Sequence, residues 1–355
     1  MYRMIIFLVG TGIVISGCNR KNDVLPGLSM VKLAVPANFR EPVTMGTNPL
    51  SKEGIELGRK LFYDTRLSGN NSISCATCHQ QEIAFSDGIA LSAKGFSGKA
   101  LSRHAPALIN LAWSDNGLFW DGGSTNLESQ AFGPLTSTDE MHQNIAELVQ
   151  KLRADAYYIH QFQRVFADTI NSGYIVRAIA QFERTLVSAD SRYDKFIRHE
   201  PGGTLSSLEL KGLSFVRENC QRCHASDLFT DNLFHNNGID ADFSDMSMDR
   251  LFMGRYRITN DPADVGKYKT PTLRNIMLTA PYMHDGRFHT IEEVLDHYSD
   301  GIKVSATTDS LLAKNSGGSP GIPMTADEKQ AIIAFMKTLT DTSFSGNKAF
   351  SSPFN

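Results

Sequence analysis

The stretches CATCH (75–79) and CQRCH (220–224) decide how this chain is read. Each is Cys-x-x-Cys-His. In such a pentapeptide the two thiols can form thioethers with the vinyl groups of one haem, and the adjacent imidazole can bind its iron. The close spacing lets one short turn present all three groups to one macrocycle. Two other uses of Cys-x-x-Cys compete. A zinc protein would join both pairs in one tetrahedral site and would not require a histidine after each. A thioredoxin-like disulfide would sit in a βαβ context, and that pattern is absent from the sequence. Cys75, Cys78, Cys220 and Cys223 therefore read as attachment points for two c-type haems, with His79 and His224 as the proximal iron ligands.

The fifth cysteine has a separate reading. Residues 1–17 place Arg3 before an apolar run from Met4 to Ile15 and close on Ser16 and Gly17. That is a secretory signal, too short for a comfortable membrane span. Ile15-Ser16-Gly17-Cys18 resembles a bacterial lipobox, in which cleavage precedes the cysteine and its thiol is acylated; an uncleaved anchor or a chance cysteine are the alternatives. A lipid on Cys18 would tether the protein on the periplasmic side of a membrane without spanning it. Asn19, rather than Asp, leans toward the outer membrane by resemblance to Gram-negative lipoproteins.

A chain of 355 residues with 41% hydrophobic residues is long enough for two ordinary domains. The net charge is only −3, with acids and bases mixed, which gives no case for nucleic-acid binding or a basic membrane face.

Helical periodicity is short and interrupted by long loops. Ile55, Leu57, Leu61 and Phe62 suit one helix, Ile145, Leu148, Val149 and Leu152 a second, and Tyr174 through Leu186 a third. Ser206 with Glu209, and Thr325 with Glu328, are capping-box patterns that open two more. No run of alternating strands stands out. LGRKLF (57–62) and KGLSFV (211–216) form a weak repeat, each leading into a Cys-x-x-Cys-His. The expectation is an all-α fold of two cytochrome c-like haem domains with long loops. Its parts are a signal (1–17), a linker (18–45), an N-terminal haem domain (46–201), a C-terminal haem domain (202–343) and a tail (344–355), with the boundary at Gly202–Gly203. Long loops normally count against compact domains, but a haem supplies apolar core where side chains otherwise would.

The segments between and after the motifs carry a specific resemblance. RHAPALINLAW (103–113), FWDGG (119–123), LESQAFGPL (127–135), KTPTLRN (269–275), APYMHDG (280–286) and HYSDG (297–301) are similar to the bacterial di-haem cytochrome c peroxidase and MauG family over nearly all of 45–340. The resemblance implies reduction of hydrogen peroxide at the N-terminal haem. Electrons would pass through the C-terminal haem from a small redox protein, such as a cytochrome or cupredoxin, or from a protein substrate oxidised at long range. Glu140 matches the distal acid and Gln130 the distal-pocket amide, a base to move the peroxide proton beside a group to hold peroxide. Without the resemblance, Glu140 would read as an acid in the first turn of the following helix. Trp120 matches the tryptophan between the haems; its alternative is a core tryptophan, the reading given to Trp113.

Tyr298 matches the distal ligand of the second haem, where cytochrome-oxidising members carry methionine and MauG carries tyrosine. A phenolate is a hard anionic donor that favours ferric and higher states, whereas a thioether favours ferrous iron. The alternative is a buried aromatic residue, with Met283, Met277, Met253 or Met248 as substitute ligands. Two departures limit the carry-over. The segment SDGIALSAKGFSG (86–98) lacks the histidine that blocks the first iron in many members, and His104 comes later. For the family calcium, Thr279 and Pro281 match carbonyl donors, but the matching asparagine is replaced by His104 unless Asn110 serves, and imidazole suits calcium poorly. His284 reads as orienting a propionate or loop; His142, His160, His199, His235 and His289 read as surface or satisfied histidines. The competing class is a non-catalytic di-haem electron carrier, which Gln130 with Glu140 argues against. No residues remain for a sensor's signalling domain, and a homodimer stays open.

Overall fold

The structure, a computed structural model, describes residues 27–43, 46–247, 251–314 and 317–354. The signal segment 1–17, Cys18 and Met248 lie outside the described residues. Seven longer helices organise the chain: α1 (Lys52–Tyr63), α2 (Ile145–Arg153), α3 (Ala156–Phe166), α4 (Ser172–Arg184), α5 (Ser207–Asn219), α6 (Ile291–Asp300) and α7 (Ala326–Thr338). Among the described residues the strands are limited to an antiparallel pair, β1 (Phe234–His235) and β2 (Tyr268–Lys269). No described helix is long and apolar enough to cross a membrane.

The helices start where the sequence places them because their caps work. The Ser206 and Thr325 hydroxyls accept from the backbone N–H of Glu209 and Glu328, and each glutamate reaches back to its cap. Two of the longer helices lie outside the expected set. α3 is rich in aromatic and β-branched residues, so its propensity is weak; it forms because Asp155 caps it and Tyr158 and Phe162 are fully buried. α6 opens with the same capping box, Thr290 with Glu293, as the helices that were read.

Helix pairs form the two main cores. α1 packs on α4 and α5 packs on α7. At each crossing a glycine removes the side chain that would hold the helices apart. A Cβ on Gly58 would lie 1.9 Å from the Ala178 carbonyl oxygen and 3.0 Å from Phe182 Cβ. A Cβ on Gly212 would lie 2.0 Å from the Ala331 carbonyl oxygen and 2.8 Å from Phe335 Cβ. The weak LGRKLF/KGLSFV repeat is thus a repeat of packing, with a glycine set against Ala-x-x-x-Phe on the opposing helix. Leu57 and Leu61 bury into the first core, and Leu213 and Val216 into the second. Each such side chain contributes about 1.5–3 kcal/mol on full burial.

Two segments expected to be loose are packed. In the linker, Phe39 stacks edge-on to Trp113 at 5.2 Å, and Ser29 donates to Glu53. In the tail, Phe344 and Phe350 bury against Phe85, and Phe350's carbonyl accepts from the Tyr63 hydroxyl at 2.7 Å. Both segments carry aromatic side chains that the cores accept. A buried ion pair also ties distant parts of the chain together. Arg274 of KTPTLRN and Asp194 are fully buried side chains paired through two bonds of 2.7 and 2.8 Å. Asp194 further accepts from Asn38 and Ser191.

Candidate active site

The two Cys-x-x-Cys-His motifs are built alike. Cys75–Cys78 forms one helical turn, and His79 N–H donates to the Cys75 carbonyl at 2.9 Å. In the second motif His224 N–H donates to the Cys220 carbonyl at 2.9 Å. Each imidazole then meets a carbonyl a few residues on: His79 Nδ1 reaches Phe85 O at 2.8 Å, and His224 Nδ1 reaches Phe229 O at 3.1 Å. A carbonyl only accepts, so Nδ1 carries the proton and Nε2 keeps its lone pair. Both phenylalanines have left-handed backbone, φ 58° and 52°, and this turn brings their carbonyls back to the histidine. Burial lowers both imidazole pKa values, against the raising effect of those carbonyls, and so favours the neutral ligand form. All four cysteines are unpaired. Burial pushes the Cys75 thiol up, and the Cys220 thiol to about 12.

Cys220, Cys223 and His224 line a cavity of about 660 Å³. Leucine, methionine and proline side chains form much of its wall, and Tyr298 and Met283 face it. These residues fit a covalently held haem: two free thiols, an imidazole that burial keeps in its neutral form, and an apolar chamber of suitable size. The first motif supplies the same donor set and the same carbonyl lock.

Trp120 and Gln130 line this same cavity. Trp120 ties the two halves together, since its Nε1 donates to His104 O at 2.9 Å and its carbonyl accepts from Lys269 N–H at 2.8 Å. Glu140 lies elsewhere, close enough to Cys78 for its charge to act on that thiol. Burial, with the nearby Asp139 charge, raises the Glu140 pKa. The segment lacking a blocking histidine packs directly on it. Phe96 N–H donates to Glu140 O at 2.6 Å, and a Cβ on Gly95 would fall 2.0 Å from the Asp139 carbonyl oxygen. The structure thus sets Glu140 at the first motif, and Gln130 with Trp120 on the wall shared with the second.

His104 is held in place. Its Nδ1 meets Ile89 O at 2.8 Å and its Nε2 meets the Ser86 hydroxyl at 3.3 Å. It shares a cavity wall with Thr279 and Pro281. The Asn110 amide is engaged at both ends by Ser188, at 2.9 and 3.1 Å. The side chains present therefore do not complete calcium's oxygen-rich shell with the Thr279 and Pro281 carbonyls, and calcium enters no step below. His284 stacks on Tyr268 at 3.7 Å, and burial lowers it to about 4.

His235 is more than a satisfied histidine. It sits between Asp231 at 2.8 Å and Asp309 at 2.7 Å, and these partners together with Cys223 push it up to about 11. The Asp231/His235 spacing was its only trace in the sequence. Cys223, His235 and Asp309 form the one three-donor cluster of His, Cys, Asp or Glu side chains among the described residues. A thioether at Cys223 removes the thiolate that a metal there would need.

A helical chain with two such turns, one beside a buried carboxylate and the other beside a buried phenol, defines a two-haem oxidoreductase of the c type. The comparisons carry this to a family. The family model for di-haem cytochrome c peroxidase matches residues 52–202. The methylamine utilization protein MauG of Methylorubrum extorquens is 34% identical over 312 residues, 86% of this chain and 84% of that one. The cytochrome c551 peroxidase of Nitrosomonas europaea is 31% identical over 326 residues, 88% of this chain and 90% of that one. Among solved structures, a MauG-like protein associated with microbial copper homeostasis superposes with a TM-score of 0.82 at 36% identity, covering 92% of this chain and 100% of that one. The chain belongs to the di-haem cytochrome c peroxidase/MauG family, and it is a peroxidase-type enzyme with two c-type haems.

Proposed function

We propose that the chain reduces hydrogen peroxide at its N-terminal haem site, with electrons relayed through the C-terminal haem site from an external donor. That donor is a small redox protein or an oxidised residue of a protein substrate. When bound, the two haems supply the electrons and the iron at which peroxide is cleaved; the protein supplies position and protons. The observation that carries the reading is the asymmetry of the two sites. Glu140 stands at the first motif, while Tyr298 stands over the chamber of the second.

Glu140 accepts the proton from the near peroxide oxygen and returns it to the departing one. The balance is one peroxide, two electrons and two protons to two waters. Gln130, which lines the chamber of the second motif, takes no part in the proton shuttle at Glu140. Trp120, bonded to both halves, couples the sites. Tyr298 offers a hard oxygen donor to the second site, which favours an oxidised resting state and a protein-residue donor. Two cytochrome c-like halves meeting at Gly202–Gly203 fit the duplicated glycine crossings. Export and a lipid on Cys18 would place this chemistry on the periplasmic side.

The test is steady-state peroxide turnover with a panel of reduced cytochromes, run beside the ferric spectrum. Wild type should show a high-spin fraction and turn over. Glu140→Gln should keep both haems and lose about 10²–10⁴-fold in rate. Full activity in the variant refutes the proton shuttle, and wholly low-spin protein inert to peroxide refutes the reading.

A further inference from the structure

Among the polar side chains of the second chamber that the scheme above leaves unused, Asn237 is the one set beside Tyr298 and Met283. Its Nδ2 donates to Met283 Sδ at 3.3 Å, and its amide lies close enough to the Tyr298 hydroxyl to act on it. An amide carries two N–H donors, and a thioether can only accept. Met283 therefore takes one hydrogen and orients the amide, leaving the other for the Tyr298 oxygen.

The backbone makes this arrangement stiff. His297 Nε2, one residue before Tyr298, donates to Asn237 O at 3.0 Å. Lys303 N–H, just beyond α6, donates to Gly238 O at 2.7 Å, and Gly238 N–H donates to Asn236 Oδ1 at 2.9 Å. The Asn237 segment is thus fastened to the end of α6, which carries the tyrosine. Met283 has φ 72°, a left-handed conformation that a methionine adopts only when its surroundings impose it. The fold holds the thioether against the amide.

We propose that Asn237 is a positioning residue for the second haem site: its amide, oriented by Met283 Sδ, donates to the Tyr298 oxygen and so fixes that oxygen's direction and weakens it as an electron donor. This rests on the reading of Tyr298 as the second-site ligand. Outer partners tune a metal through its ligands in this way. A hydrogen bond into an anionic oxygen withdraws charge from it, so it lessens the preference for ferric iron and raises the potential.

The test uses the haem-loaded full chain, a redox titration of the second haem, and the resonance Raman bands of an iron–phenolate bond. Asn237→Leu should lower the potential, by about 59 mV for each tenfold gain in ferric preference, and shift the phenolate bands. In a Tyr298→Phe background the same substitution should leave the potential unchanged, since only the coupling between the two residues is at stake. Met283→Leu keeps the asparagine but frees its amide, and should shift the potential in the same direction by less; it stands in if Asn237→Leu fails to load haem. Equal shifts with and without the tyrosine overturn the proposal and leave the ligand reading intact. So does no shift for Asn237→Leu while Tyr298→Phe changes the site. If Tyr298→Phe leaves potential and spectrum as in wild type, the ligand reading itself fails.

Discussion

Arg274→Met should destabilise the protein by about 3–5 kcal/mol, the cost of leaving one charge of a buried pair unpartnered. The geometry places it in that range. Both side chains are fully buried, the guanidinium grips Asp194 through two bonds of 2.7 and 2.8 Å, and its Nε donates to Asp227 O at 2.7 Å. The flexible methionine fills the volume but leaves Asp194 only Asn38 and Ser191. At roughly 2–4 °C per kcal/mol, the midpoint should fall by roughly 6 °C or more. The assay is thermal and denaturant unfolding of the haem-loaded protein, monitored by tryptophan fluorescence and the haem band. A double variant, Arg274→Met with Asp194→Asn, should recover part of the loss, because no charge is then left alone. The pH dependence has a definite sign. Burial alone would raise the Asp194 carboxyl, but Arg274 outweighs it and holds the group below 3.8. The pair's contribution is therefore complete above about 3.8 and is lost as pH falls through the lower folded value. The gap between wild type and Arg274→Met should begin to close at the variant's carboxyl value, which burial without Arg274 raises, and finish closing at the lowered value of wild type. A loss under about 1 kcal/mol at neutral pH would refute the reasoning.

Gly58→Ala and Gly212→Ala should each cost about 1–3 kcal/mol through forced separation of the helices, measured by denaturant midpoint. Near-neutral effects would mean that the crossings relax freely. In pre-steady-state peroxide reaction, the rate should fall as pH drops below the raised Glu140 value, since the base works only when ionised. The fall should begin above the ordinary 4.5 and vanish in Glu140→Gln; a limb that persists in the variant assigns it to another group.

Haem attachment was legible because the two cysteines and the histidine of each motif state it in one short turn, and the geometry adds the carbonyl locks. Those locks depend on Phe85 and Phe229 adopting positive φ, which side-chain type does not announce for a phenylalanine. The five expected helices carried either clean periodicity, as α1, α2 and α4 do, or a capping box, as α5 and α7 do, and α4 ends at Arg184, just short of Leu186. α6 opens on a Thr290/Glu293 box that the sequence carries in plain form, so its start is as legible as those of α5 and α7. The roles of Arg274 and His235 could not be read, since their partners lie 80 and 74 residues away, at Asp194 and Asp309. Packing of the linker and the tail was missed for a similar reason. Composition marks a segment as irregular, but it does not say which core will accept its aromatic residues.

The contact of Phe344 and Phe350 with Phe85 sets an order of events for the nascent chain. The phenylalanine whose carbonyl aims the first motif's histidine is wedged by two aromatic side chains that lie far along the chain, beyond the second motif. That carbonyl gains its full packing only once the segment carrying Phe344 and Phe350 has docked on Phe85.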